Sequence, residues 1–281
     1  MVRFQIDADP AIPARIGFRD PGAKAKGRET WLYDRRDGHL IGPVPGARFF
    51  DTIERLHRWL ALPGGSKGPG RLITGNCAIL LIALAQGGLY LRWPSKPLNW
   101  RAWLTIPRGR KGRWWWRELH LLLGGLMMGA YLLSALTGLW WSFAWYRGRV
   151  EALLDAEQSK MAKASGKVDF ALGWQVFEAT TAGHAYRRIT LIVPDKGAAL
   201  RFRAIPVDAR HNRADDAVVI DGASGKVLLT DFIATRKPGR QILASMFEIH
   251  RGAFFGRAGQ IVLFVTSLGL PFFAITGVWF W

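Results

Sequence analysis

The sequence predicts an α-helical membrane bundle that carries an α+β domain outside the bilayer. The chain of 281 residues is 49% hydrophobic, and much of this apolar content lies in three long runs, at 72–91, 119–145 and 260–281. None of these runs has Asp, Glu, Lys or Arg in its interior. Between the runs, short alternating stretches are interrupted by turn residues, which is the pattern of β-hairpins.

Each apolar run is long enough to cross a bilayer as a helix, because a hydrocarbon core of about 30 Å requires about 20 residues. The chain also has a formal net charge of +18, which in a soluble protein would suggest a nucleic acid partner. The three predicted spans make the lipid bilayer the expected partner instead, and we expect no nucleic acid binding.

The loop between the first two spans has the strongest positive charge. Residues 92–118 contain one acidic residue, Glu118, and these basic residues: Arg92, Lys96, Arg101, Arg108, Arg110, Lys111, Arg113 and Arg117. Short loops rich in Lys and Arg remain in the cytoplasm. This loop is therefore predicted to be cytoplasmic, and the two longer regions are predicted to lie in the periplasm of a Gram-negative cell.

The chain contains an internal repeat. Residues 14–42 have a looser counterpart in residues 187–229, and each copy is followed by a helix with a histidine, then glycine-rich sequence, then a span. Only the second copy is preceded by a helix-like stretch, at 171–183. We therefore expect the first copy to lack a preceding helix and a preceding span. The first 13 residues contain no apolar run of a signal peptide.

Three of the six histidines stand at the mouth of a predicted span, flanked by leucine or isoleucine: His57, His120 and His250. Helical spacing places His57 and His250 on matching faces, formed by Phe50, Ile53 and Leu60 in the first copy and by Leu243, Met246 and Ala253 in the second. The remaining three are predicted to be surface residues: His39, His184 and His211.

The topology predicts that His57 and His250 meet at the outer leaflet, while His120 lies at the inner leaflet. Two neutral imidazoles from facing helices in an apolar site can hold a haem iron from both sides. A zinc site would require further His, Cys or carboxylate ligands, and none cluster here. Arg58 and Arg251, which follow the two outer histidines, are candidates either to bind haem propionates or to anchor to headgroups.

Several segments together resemble the PepSY-associated transmembrane family: RLHRWL, RELHLLLGGL…ALTGLWW, GKVLLTDF and IHRGAFFGRAGQI…AITGVW. The resemblance implies an α-helical membrane bundle with an α+β periplasmic PepSY-like domain. The family includes inner-membrane ferric-siderophore reductases with two b-type haems. Its haem histidines map onto His57, His120 and His250, and the histidine of the family's first helix has no counterpart here.

These observations divide the chain into six parts. Residues 1–47 are expected to form a partial periplasmic PepSY-like β segment, 48–93 an interfacial helix and a transmembrane helix, 94–118 the cytoplasmic basic loop, 119–146 a transmembrane helix, 147–240 the periplasmic PepSY-like domain, and 241–281 an interfacial helix and a transmembrane helix. The first transmembrane helix of the family is expected to be missing.

The expected function is electron transfer by a multi-pass haem-b protein of the bacterial inner membrane, which reduces a periplasmic ferric siderophore or another iron chelate. Electrons would come from an unidentified donor on the cytoplasmic side. One haem b is expected between His57 and His250, and a second near His120 if a partner ligand is supplied. No side chain is expected to act as a catalytic group.

Two alternatives remain open from the sequence. The chain could be a membrane-anchored PepSY binding or inhibitory module, acting on a periplasmic protease or envelope sensor without redox activity. It could also be a subunit that passes electrons to a separate reductase or transporter. If the first alternative is correct, substitution of the three histidines would leave the function of the protein unchanged.

Overall fold

The structure is a computed structural model, and it describes residues 1–18, 29–106, 109, 111–154, 164 and 166–280. Parts of four predictions fall outside these residues: 19–28 of the first repeat, Arg108 and Arg110 of the basic loop, 155–163 and 165 of the predicted periplasmic domain, and Trp281 of the last span.

The chain folds into two compact units. The sheet unit consists of Met1–Asp51 and Ala152–Ala244. The helical unit consists of Thr52–Glu151 and Ser245–Trp281.

The sheet unit contains one antiparallel sheet of eight strands, in the order β4-β3-β2-β1-β5-β6-β7-β8. The strands are β1 Val2–Asp7, β2 Ala14–Phe18, β3 Glu29–Tyr33, β4 Leu40–Pro43, β5 Tyr186–Val193, β6 Ala199–Pro206, β7 Asp216–Asp221 and β8 Val227–Asp231. The second copy of the sequence repeat corresponds to the four-stranded meander β5–β8, and the first copy corresponds to β2–β4, to which β1 adds the fourth strand of a similar meander. The two meanders join through their first strands, with β1 paired to β5 from Val2↔Val193 to Asp7↔Arg188.

The described residues form eight α-helices: α1 Ala47–Trp59, α2 Pro69–Arg92, α3 Trp100–Leu104, α4 Arg113–Ser142, α5 Ala144–Leu153, α6 Phe170–Thr180, α7 Pro238–His250 and α8 Gly256–Phe280. Helix α6 begins after Asp169, whose side chain accepts a hydrogen bond from the Leu172 amide at 3.0 Å, as expected of an N-cap residue. It corresponds to the helix predicted before the second repeat.

The core of the sheet unit lies where α6 packs against the second meander. Strand β6 alternates as a half-buried strand should, with Leu200, Phe202 and Ala204 buried and Arg201 exposed. Phe177 from α6 stacks on Phe202, with 4.5 Å between ring centroids and 12° between planes. The fully buried cluster comprises Phe177, Leu200, Phe202, Ala204, Val218 and Ile220.

Three helices of the helical unit are long and apolar enough to cross a membrane, which confirms the three predicted spans: Pro69–Arg92, Arg113–Ser142 and Ala253–Trp279. Helix α4 packs against both α2 and α8. It begins at Arg113, inside the stretch that the sequence had assigned to the basic loop, so His120 lies within the helix and not at its start.

Two details of the predicted histidine faces are wrong. Helix α1 ends at Trp59, and Leu60 beyond it has φ 54°, so Leu60 does not continue the face of His57. Helix α7 ends at His250, and Ala253 belongs to a separate 3₁₀ turn. The two helices also differ in burial, because α1 has no buried residue, whereas α7 buries Ser245, Met246 and Glu248.

Close packing between α2 and α4 depends on Gly75. A Cβ atom at this position would lie 2.7 Å from Ser142 Cβ and 2.8 Å from Phe143 Cε2, which is closer than side chains approach each other. We expect Gly75→Ala to destabilise the helical unit by about 1–3 kcal/mol, the usual cost of overpacking. Thermal unfolding of the purified protein in detergent measures the effect.

The matched control for this substitution is Gly87→Ala, on the same helix. A Cβ at Gly87 meets no atom within 4 Å, and alanine is intrinsically the better helix former by roughly 0.5–1 kcal/mol. If Gly75→Ala proved as stable as Gly87→Ala, the close α2–α4 contact would not exist in solution.

Candidate functional site

The structure brings His57 and His250 together in the helical unit. Their ring centroids are 6.0 Å apart and their planes are inclined by 51°. With a metal–nitrogen bond of about 2 Å, and about 1.2 Å from each nitrogen to its ring centre, two imidazoles on opposite sides of one metal ion have centroids about 6.4 Å apart. The observed separation is close to this value, so the pair fits a metal held between two imidazoles.

Both histidines are placed by the ends of short helices. His57 lies in the last turn of α1, and His250 is the last residue of α7. The C-terminal end of a helix carries partial negative charge from its unpaired carbonyl groups. Two such ends at one site favour a positively charged group, such as a ferric ion with two neutral ligands.

The ring of His250 is half-buried and has defined neighbours on α4. Its Nδ1 lies 2.9 Å from Thr137 Oγ1, and Trp141 packs edge-on against it at 5.3 Å between centroids. Burial lowers the pKa of His250, and the charge of His57 lowers that pKa further, while a hydrogen bond to the backbone of Ser134 raises it. The net effect favours the neutral imidazole, which is the form that binds metal.

His120 lies at the other end of α4. Its Nδ1 is 2.6 Å from Thr276 Oγ1 on α8, and Phe273 packs edge-on against it at 5.0 Å between centroids. His120 and Thr137 are far enough apart in the sequence to be separated by about 25 Å along the helix axis. The structure therefore does not bring His120 to the pair. Among the described residues, no cluster of three or more His, Cys, Asp or Glu could hold a metal ion.

Both candidate arginines already have a carboxylate partner. Arg58 contacts Glu54 at 2.6 Å, one turn back on α1, and Arg251 contacts Glu248 at 2.6 Å. The Glu248 side chain is only 1% exposed, so Arg251 compensates a buried charge. A guanidinium has five N–H donors, and each of these contacts uses one or two of them. A further acidic group could still be bound.

The other three histidines lie in the sheet unit, and one of them contradicts its prediction. His39 and His184 are exposed, as expected. His211, expected at the surface, is buried, and its Nδ1 accepts a hydrogen bond from the Arg213 amide at 3.2 Å. Its polar neighbours in the sequence gave no sign of this, because the burial comes from the fold around the turn before β7.

A groove in the sheet unit has one of these histidines on its wall. His184 stacks on Phe232 at 5.0 Å and on Tyr186 at 6.2 Å. The Tyr186 hydroxyl donates to Asp216 at 3.0 Å. Burial is the main cause that raises the pKa of Tyr186 far above its usual range, and the charge of Asp216 raises it further. The groove has a volume of about 350 Å³ and is lined by Trp174, Phe177, Glu178, Thr181, Ala182, Gly183, His184, Tyr186 and Ile189.

Thr137 and Thr276 were not identified from the sequence as site residues. A signal was present, since both stand in a repeated pattern, Ala-x-Thr-Gly-x-Trp, at 135–140 and 274–279. The hydroxyl of a threonine in an apolar helix usually donates a hydrogen bond to a backbone carbonyl of the preceding turn. Neither position alone would therefore suggest a partner outside its own helix.

The family model described as the PepSY-associated TM region matches residues 2–281. No curated protein matches the chain.

Proposed function

Because the chain belongs to the PepSY-associated TM region family, we propose that it is a haem-b protein of the bacterial inner membrane. It transfers electrons across the membrane to a ferric siderophore or another iron chelate on the periplasmic side. The observation that carries the proposal is the approach of His57 and His250 to 6.0 Å between ring centroids. Three helices able to cross a bilayer support the membrane location.

The chain's own residues have separate tasks in this function. His57 and His250 would hold one haem, which supplies a carrier of single electrons at that end of α4. Thr137 and Trp141 hold the His250 ring in place. His120 would bind a second haem at the other end if a partner supplies the opposite ligand, and Phe273 shields its ring.

The spacing along α4 suits a transmembrane path. Thr137, which contacts His250, and His120 are about 25 Å apart along the helix, and a hydrocarbon core is about 30 Å thick. A carrier at each end divides this distance between an electron donor on the cytoplasmic side and an iron chelate on the other. Chelators rich in oxygen prefer the harder ferric ion, so its reduction to the ferrous ion weakens the complex.

A binding function without redox chemistry is the second candidate. The groove beside His184 favours it, because that groove has aromatic walls and the acidic Glu178 at its rim. In this case the sheet unit would bind a periplasmic protease or sensor, and the spans would serve as an anchor. The protein would then require neither His57 nor His250.

The test is a dithionite-reduced minus oxidised absorbance spectrum of the full chain, purified in mild detergent after haem was supplied during expression. Sharp low-spin b-type bands are expected. A protein that is intact by thermal unfolding and colourless would contradict haem-dependent electron transfer. The binding function would then be tested by capture of periplasmic proteases on the immobilised chain.

A further inference from the structure

Each threonine of the repeated pattern contacts one of the site histidines. Thr137, near the C-terminal end of α4, contacts His250, which directly precedes the last span. Thr276, near the C-terminal end of α8, contacts His120, near the N-terminal end of α4. The two contacts are therefore reciprocal: the Thr-Gly pair of α4 contacts the histidine that precedes α8, and the Thr-Gly pair of α8 contacts the histidine in the N-terminal part of α4.

The hydrogen bonds of Thr137 fix the tautomer of His250. A threonine hydroxyl has one proton, and Thr137 Oγ1 lies 2.6 Å from the Leu133 carbonyl oxygen, to which it donates. A carbonyl oxygen can only accept, so the proton of the hydroxyl is used there. The contact of 2.9 Å between Thr137 Oγ1 and His250 Nδ1 must then be a donation from Nδ1–H to the hydroxyl oxygen. Nε2 of a neutral ring consequently has a free lone pair.

The same reasoning applies to His120. Thr276 Oγ1 donates to the Phe272 carbonyl at 2.7 Å. Its contact of 2.6 Å with His120 Nδ1 is therefore again a donation from Nδ1–H to the hydroxyl oxygen. In both sites the backbone carbonyl four residues back orients the hydroxyl, and the hydroxyl orients the imidazole.

The glycine after each threonine lies next to the histidine ring. A Cβ at Gly138 would lie 3.4 Å from His250 Cε1, and a Cβ at Gly277 would lie 4.0 Å from His120 Cε1. Both distances are those of ordinary van der Waals contact, so each imidazole lies directly beside the glycine backbone. The sequence pattern Thr-Gly thus combines an acceptor with a flat surface beside it.

We propose that Thr137 and Thr276 are positioning residues that hold His250 and His120 in the Nδ1–H tautomer, and that His250 thereby presents Nε2 as the metal ligand. The identity of the ligand as haem iron rests on the proposed function, whereas the tautomer does not. An acceptor on the outer nitrogen fixes the ring orientation and makes the coordinating nitrogen more basic. Both effects strengthen the bond to a metal and stabilise its higher oxidation state.

The test compares Thr137→Val, which keeps the shape and removes the hydroxyl, with Thr137→Ser, which keeps the hydroxyl. The matched control is Thr266→Val in α8, since Thr266 is also buried and donates to the carbonyl four residues back, that of Val262. In the haem-loaded protein, Thr137→Val is expected to weaken haem retention by roughly 10-fold or more and to shift the midpoint potential of the outer haem to a more positive value. Serine should restore both.

A second measurement reads the tautomer without haem. The nitrogen chemical shifts of ¹⁵N-histidine-labelled, haem-free protein are expected to show Nδ1 protonated and Nε2 bare at His250, and this preference should be lost in Thr137→Val alone. The pair Thr276→Val and Thr276→Ser tests His120 in the same way. A wild-type ring protonated on Nε2, or a Thr137→Val protein equal to Thr266→Val in potential and haem retention, would overturn the proposal. A protein without haem but with the expected tautomers would overturn only the proposed function.

Discussion

Replacement of His250 by alanine is expected to abolish the low-spin haem bands that the proposed function predicts. The ring lies 6.0 Å from His57 between centroids and is held by Thr137 at 2.9 Å. Among the described residues, no other histidine lies close enough to replace His250 beside His57. An iron with one remaining imidazole becomes five-coordinate or binds water, and either state has a broader, high-spin spectrum. Haem content per protein should also fall at least roughly 10-fold, because the loss of a residue that only supports a metal ligand already costs about 10–100-fold in affinity.

Two variants make this prediction specific. His57→Ala should have the same spectrum as His250→Ala, because in the proposed function the two rings would hold the same haem. His184→Ala should leave the spectrum unchanged, since His184 belongs to the sheet unit and stacks on Phe232. The measurement is haem per protein with the reduced-minus-oxidised spectrum. Unchanged low-spin bands in His250→Ala would exclude His250 as an axial ligand.

The largest effect on stability is expected from Phe177→Ala. Phe177 is 2% exposed, stacks on Phe202 at 4.5 Å and contacts Trp174 at 5.7 Å. Its removal leaves a cavity between α6 and the second meander. Substitution of a buried phenylalanine by alanine costs about 3–5 kcal/mol, which is a large part of the roughly 5–15 kcal/mol that stabilises a folded domain.

The control for this prediction stands on the same helix. Phe170 is 52% exposed, and Phe170→Ala should change stability by no more than about 0.5 kcal/mol. Because the chain has two units, whole-protein melting need not be two-state. Protease susceptibility of the sheet unit against temperature, in detergent, isolates the relevant transition. Equal curves for the two variants would show that α6 does not cover the sheet as described.

The spans and the second meander could be predicted from sequence because their signals are local. An apolar run of sufficient length specifies a spanning helix by itself, and alternation in β6 marks its buried residues, Leu200 and Phe202. Strand β1 was included only in a general β segment, because its pairing partner β5 lies far along the chain.

The residues of the candidate site likewise differ in whether the sequence could predict their roles. The meeting of His57 and His250 could be anticipated because the direction inferred for each span from the charge of the first loop places these two histidines at the same end of the bundle. Thr137 and Thr276 could not be assigned a role, because their bonds to histidine depend on how α4 packs against its neighbours. The ion pair between Arg58 and Glu54 could not be predicted either, since i, i+4 spacing permits such a pair without requiring it.

The pairing of β1 with β5 at the centre of the sheet has a consequence for biogenesis. Val2 pairs with Val193, and two spanning helices are synthesised between them. At roughly 5–20 residues per second, the ribosome produces the second strand about 10–40 s after the first. During that interval β1 has an unpaired edge, and such edges recruit other strands. We expect the first meander to persist as an open-edged intermediate whose fate is decided by the insertion rate of α2 and α4, and not by the stability of the finished sheet.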